Sequence, residues 1–237
     1  SIPTGLHKLY NYDVATEELL MQGLEWKDGY FVLPSGARYK ILVLPKTEGR
    51  MEPDFISKLI GLAKKGGIIV CQDRPSKSAS LTNYPKCDEL VQKLAFELWG
   101  NTNGIDVLEN KVGKGKIVWM ENLYSERNDP ESEWAYRKFP VGAFYDAPAH
   151  TLTWSMPFIN FLKQNNVDPD VEISNVSGRA MMWGGIDYSI SGKRSGEDAI
   201  AWIHRKTGND DVYFISNQTA DAIKPLLSFN VNGKTPE

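Results

Sequence analysis

The spacing of apolar positions divides the chain into two kinds of sequence. Residues 39–44 are nearly all apolar and stop at Pro45, the pattern of a strand buried on both faces of a sheet. Pro53 opens a segment in which Phe55, Leu59, Leu62 and Ala63 recur at helical spacing, and "KKGG" closes it with two lysines and two glycines. Residues 68–71, "IIVC", predict a second buried strand. A loop rich in Pro and Ser fills 73–86. "CDELVQKLAFELWG" then predicts a helix with Leu90, Leu94 and Leu98 inward and Gly100 after it. "GKGKIVWM" returns to strand. Upstream, 13–22 predicts a helix with Asp13 as N-cap and Gly23 at its end, and 30–33 a short strand before the turn "PSGA".

The order strand, helix, strand, loop, helix, strand predicts an α/β fold with a doubly wound, mainly parallel sheet. Strands 39–45, 67–72 and 115–120 are expected side by side, with helices 53–65 and 87–99 on the sheet faces. After about residue 121 the pattern changes. The stretch "ENLYSERNDPESEWAYRKFP" is charged and irregular, so 121–150 reads as an insertion. A helix is expected within 154–164, ended by Asn165 or Asn166. The remainder alternates as strands do. "AIAWIHRK" and "DDVYFISNQ" flank a hairpin turn, "TGND", and "LLSFNVNG" predicts one more strand. This divides the chain into an α/β domain, 1–165, and a smaller β-rich region, 166–237.

Composition narrows the function classes. The chain has 237 residues, 41% hydrophobic and 24% charged, which is the balance of a globular protein with a sizeable core. Net charge is −3, from 27 basic and 30 acidic side chains, so no basic excess points to nucleic acid or an anionic membrane as partner. No apolar stretch nears the roughly 20 residues of a membrane helix. His7, His150 and His204 are far apart, and Cys71 and Cys87 lack zinc-type spacing, so neither a metal nor a cofactor is expected. The two cysteines fit either a pair formed in an oxidising compartment or two separate thiols. The opening "SIPTGLHKLYNYD" has no Met and no apolar leader core, and the chain stops just after a strand-like alternation. It reads as a segment of a longer polypeptide, whose location these residues do not disclose.

Four stretches could carry chemistry. The loop after Pro45, Lys46-Thr47-Glu48-Gly49-Arg50, sits where α/β folds bind ligands, but it has one glycine and no phosphate-loop pattern. Cys71 ends a strand as a nucleophile would, yet its flanks, "IIVCQDRP", lack the glycines of a nucleophile elbow, and the next histidine is His150. Glycoside hydrolysis needs two carboxyl groups facing one sugar. Glu121, Glu126, Asp129, Glu131, Glu133, Asp187, Glu197 and Asp198 are candidates whose convergence the sequence does not show, so no residue is assigned as catalytic. Aromatic residues crowd the same region, and rings stack on sugars as well as filling cores. Trp134 and Trp183, with Glu131, Glu133 and Asp187 accepting hydroxyl hydrogen bonds, form the candidate substrate-binding set.

Several of these stretches together resemble the C-terminal portion of glycoside hydrolase family 106, the α-L-rhamnosidase-like enzymes. They are "YDVATEELL", "DGYFVLPSGARYKILVLPKTEGRMEP", "SLTNYPKCDELVQKLAFELWG", "GKGKIVWM" and, most specifically, "WIHRKTGNDDVYFISNQ". The resemblance covers 10–120 and 165–230 and is weak over 121–150. It implies a flavodoxin-like or amidotransferase-like accessory domain and the beginning of a β-sandwich. The catalytic barrel would lie upstream, in a parent that is secreted or periplasmic. The implied role is a non-catalytic accessory segment whose partner is the remainder of that parent, the catalytic barrel. Two alternatives stand beside it: a carbohydrate-binding module using the aromatic region 121–190, with a glycan as partner, and a cysteine-dependent α/β enzyme using Cys71.

Overall fold

The computed structural model describes residues 10–101, 109–121, 123–127, 151–174, 200–217, 222–231 and 233. The chain forms two compact units, one of residues 14–123 and one of residues 1–13 with 124–237.

In the first unit, α1 (Glu17–Gly23) is capped by Thr16, whose hydroxyl accepts from the Leu19 N–H at 3.3 Å. The cap is therefore Thr16 and not Asp13. Strands β1 (Glu25–Lys27), β2 (Tyr30–Val32) and β3 (Arg38–Tyr39) make an antiparallel meander. Asp28 and Gly29, with φ of 51° and 80°, form the first turn, whose left-handed backbone matches strand twist. The meander turns Trp26, Phe31 and Tyr39 towards the core.

The second sheet has the order β4-β5-β7-β6. It is built from β4 (Ile41–Val43), β5 (Ile68–Cys71), β6 (Glu109–Val112) and β7 (Gly115–Trp119). β4, β5 and β7 are parallel neighbours, as the apolar runs predict, and β6 pairs antiparallel with β7. Helices α2 (Pro53–Lys65) and α3 (Lys86–Trp99) pack against each other and the sheet. Phe55, Ile56, Leu59, Ile60, Leu62 and Ala63 of α2 meet Val91, Ala95, Leu98 and Trp99 of α3 in one core with Ile69, Cys71 and Ile117. Each large apolar side chain so buried contributes roughly 1.5–3 kcal/mol. Leu90, expected inward, is 45% exposed, because the buried stripe of α3 runs through Cys87, Val91, Ala95 and Leu98.

The doubly wound, mainly parallel sheet is not what forms. The parallel strands β4, β5 and β7 are laid down in one direction, with β6 reached at the far edge before the chain returns to β7, and right-handed crossovers that step one way put their helices on the same face. Packing of α2 on α3 agrees with that. A doubly wound sheet requires the direction to reverse. Among the described residues only two of eight strand pairings are parallel. The fold is thus richer in antiparallel β structure than a flavodoxin-like or amidotransferase-like domain. β4, expected to be buried on both faces, is an edge strand and half-buried throughout.

A close approach fixes where β7 begins. A Cβ on Gly115 would overlap the Gly67 carbonyl oxygen and come within 2.5 Å of the Ala63 carbonyl oxygen, so the end of α2 lies directly against β7.

In the second unit, β8 (Tyr124–Arg127) pairs antiparallel with β9 (Thr151–Trp154). Helix α4 (Met156–Gln164) follows, capped by Ser155, whose hydroxyl accepts from the Phe158 N–H at 3.3 Å. It buries Phe158, Phe161 and Leu162, and it ends at Asn165 and Asn166, the latter with φ of 57°. β10 (Val171–Ser174) pairs antiparallel with β13 (Leu226–Phe229), and β11 (Ile200–Thr207) with β12 (Asp210–Asn217) across the predicted turn.

Candidate functional site

The loop after β4 is committed to an internal anion. The carboxylate of Asp73, two residues past β5, accepts from the Thr47 N–H at 2.9 and 3.1 Å, the Thr47 hydroxyl at 3.0 Å and the Gly49 N–H at 3.1 Å. Glu48 and Gly49 have φ of 55° and 75°, which turns successive amides inward. Such a concavity of N–H groups is what binds phosphate elsewhere. Here Asp73 occupies it, and a phosphate would meet that fixed negative charge. The Gly49 carbonyl then accepts from the Ser76 and Lys77 N–H groups, which fastens the loop to residues 73–77.

Cys71 is placed as a packing residue. It is 1% exposed, and its sulfur accepts from the Trp99 indole N–H at 3.1 Å. Burial pushes its thiol up to about 12, opposed by the indole hydrogen bond and aided by the Asp73 charge. A thiol so held is not a thiolate at neutral pH and is no nucleophile. Cys87 is also buried, and both cysteines are free, so the pairing alternative does not apply.

The constellation of ionisable and aromatic groups that does converge lies in the second unit. Its hairpin register sets His204 opposite Tyr213 and Lys206 opposite Asp211. The His204 ring lies flat on Tyr213, with centroids 4.2 Å apart and planes within 7°. Nδ1 lies 3.2 Å from an Asp170 oxygen, and Nε2 lies 2.9 Å from an Asp211 oxygen. Both bonds form together only when the ring carries both N–H groups, because a singly protonated imidazole has one donor. The other oxygen of Asp170 accepts from the Asn11 N–H at 2.8 Å. The Asn11 amide reaches the His204 carbonyl at 3.5 Å, and Tyr10 beside it is 6% exposed. The cluster therefore clips residues 10–11 onto the hairpin.

Both tyrosines stay protonated. Burial pushes the Tyr213 phenol up to about 12, with Asp170 and Asp211 adding to the shift. Burial raises Tyr10 as well, followed by Asp168, Glu172 and Asp170. Neither hydroxyl has a hydrogen-bond partner among the described residues. As an acid–base assembly the cluster is closed: Asp170 has both oxygens engaged, and Asp211 is bound to the ring that Asp170 also holds.

The candidate substrate-binding residues Trp134, Trp183, Glu131, Glu133 and Asp187 all lie outside the described residues. Among the described residues no group of three or more His, Cys, Asp or Glu side chains could hold a metal ion, and no helix is long and apolar enough to cross a membrane.

Sequence reading passed over Asp73, Asp170, Asp211 and the role of His204. The hairpin did carry a signal. With "TGND" as the turn, counting outward pairs Lys206 with Asp211 and His204 with Tyr213. Asp170 carried none, since it arrives from another sheet.

Comparison with known proteins adds the family. The family model described as alpha-L-rhamnosidase matches residues 2–130, more than half of the chain. A curated protein of Formosa agariphila, provisionally named a beta-glucuronidase, is 26% identical over 228 residues, which are 96% of this chain and 14% of that protein. The structure of a rhamnosidase from Novosphingobium sp. PP1Y superposes with a TM-score of 0.60 at 22% identity, over 94% of this chain and 16% of that one. The chain spans about one-sixth or less of the length of these two proteins.

Proposed function

The chain belongs to the alpha-L-rhamnosidase family, glycoside hydrolase family 106, and from that premise we propose that it is a non-catalytic segment of a carbohydrate-degrading hydrolase. It braces a catalytic domain that the rest of a longer polypeptide supplies. The observation that carries this reading is coverage. Nearly all of the chain, 96% and 94%, matches only 14% and 16% of two much longer proteins.

The chemistry of the described residues supports it. Hydrolysis of a glycosidic bond needs one carboxyl group to protonate the leaving oxygen and a second to act as nucleophile or base. The carboxylates assembled here are engaged elsewhere: Asp73 with Thr47 and Gly49, Asp170 with His204 and Asn11, and Asp211 with His204. Cys71 is protonated and enclosed. Among the described residues these carboxylates serve packing and loop anchoring.

The test is release of 4-nitrophenol from aryl α-L-rhamnoside and a panel of other aryl glycosides. The 237-residue chain should give none, and the longer polypeptide should turn over at least one. Turnover by the short chain that survives repurification and vanishes on mutating one carboxylate in 121–198 would overturn the reading. A calorimetric titration with rhamnose oligosaccharides is the second arm. Binding near millimolar or tighter, lost in Trp134→Ala or Trp183→Ala, would make the chain a carbohydrate-binding module instead.

A further inference from the structure

In the second unit two small antiparallel sheets face each other. Tyr213 of β12 packs on Phe229 of β13, with ring centroids 4.6 Å apart. Alternation along the strands then fixes each sheet's inner and outer face. In the β10–β13 sheet, Val171, Ile173, Leu227 and Phe229 are inner, and the outer pairs are Glu172–Ser228 and Ser174–Leu226. In the β11–β12 hairpin, Trp202, His204, Tyr213 and Ile215 are inner. Its outer pairs are Ala201–Ser216, Ile203–Phe214, Arg205–Val212 and Thr207–Asp210.

The two outer faces differ in kind. That of β10–β13 carries the polar pair Glu172–Ser228 beside Leu226, as a water-facing sheet should. The centre of the hairpin's outer face is apolar: Ile203 is 39% exposed, Val212 53% and Phe214 68%. The three are contiguous in the register, with two charges at one end of the patch: Arg205 across from Val212, and Asp210 two positions from Val212 on the same face. A contiguous apolar patch on an otherwise alternating strand pair marks an interaction surface.

We propose that this face, Ile203, Val212 and Phe214, is the surface on which the chain docks against the polypeptide that flanks it in the longer protein. The partner surface is apolar at its centre, to match these three side chains. The inference rests on the bracing role proposed above and names the face that performs it. The matched relatives indicate this occupant, since more than four-fifths of each lies outside the region this chain covers.

Hydroxyl-radical footprinting read by mass spectrometry tests it on the 237-residue chain and on the longer polypeptide. Phe214 should oxidise readily in the short chain and at least tenfold more slowly in the longer protein. The pair Ile203→Ser with Phe214→Ser should leave the short chain's Tm unchanged and lower the longer protein's. Equal Phe214 oxidation in both overturns the proposal, as does an open reading frame that encodes only these 237 residues. Concentration-dependent dimerisation of the short chain with Phe214 protected assigns the face to a second copy and overturns it too. The two proposals fail separately. Glycoside turnover by the short chain refutes the non-catalytic role whatever the footprint shows. An exposed Phe214 in an active longer protein refutes the docking face and leaves the bracing role standing.

Discussion

Removing the Asp73 carboxylate should destabilise the first unit without touching its apolar core. Asp73→Ala deletes the acceptor for two backbone N–H groups and one hydroxyl, at 2.9–3.1 Å. A hydrogen bond to a charged group contributes about 1.5–3 kcal/mol when buried. This carboxylate and its partners Thr47 and Gly49 are half-buried, so water can serve the freed donors and each bond falls to about 1 kcal/mol. Three donors then give a loss of about 3 kcal/mol. That is a large share of the roughly 5–15 kcal/mol of a domain, and it lowers Tm by about 10–20 °C for one of about 100 residues. Asp73→Asn keeps one oxygen acceptor and should lose about half as much. Thr47→Val removes only the hydroxyl donor and should lose about 1 kcal/mol. Pulsed thiol labelling along a urea gradient reads this unit alone, because both buried cysteines, Cys71 and Cys87, lie in it. If Asp73→Ala shifts the midpoint by less than about 0.5 kcal/mol at unchanged slope, the loop is not held by this carboxylate.

Two further outcomes follow from the buried groups. Labelling of native Cys71 at neutral pH should be slow and should become fast on unfolding, and rapid native labelling would revive the nucleophile reading. Its folded thiol is raised above the unfolded value near 9, so the stabilisation is complete below pH 9 and is lost as pH rises towards about 12. The slope is about 1.4 kcal/mol per pH unit within that window, and Cys71→Ala should flatten it in alkaline urea melts. In the second unit, His204→Phe keeps a ring on Tyr213 but removes the ring nitrogens that face Asp170 and Asp211. It should cost about 2–4 kcal/mol and speed proteolysis near residues 10–11, and an unchanged cleavage rate would show that the clip does not hold that segment.

Local chemistry was legible in the sequence because its causes lie within a few residues. Pro53 and "KKGG" bound α2, "TGND" turns β11 into β12, and the apolar runs at 41–43, 68–71 and 115–119 are parallel neighbours. The motifs between residues 10 and 120 that pointed to the glycoside hydrolase family are likewise matters of residue identity and fall within the matched residues 2–130, whereas "WIHRKTGNDDVYFISNQ" lies beyond them. What tertiary structure alone decided depends on direction and on distant partners. Apolar runs show that strands are buried, but not the order in which they are laid down, and here the parallel strands β4, β5 and β7 follow in one direction while β6 forms an antiparallel edge. The loop after Pro45 looked open to a ligand until Asp73, 26 residues from Thr47, was seen to fill it. His204 seemed isolated because Asp170 is 34 residues away and Asn11 is 193. Charges meet through the fold, and a pattern read along the chain records only neighbours.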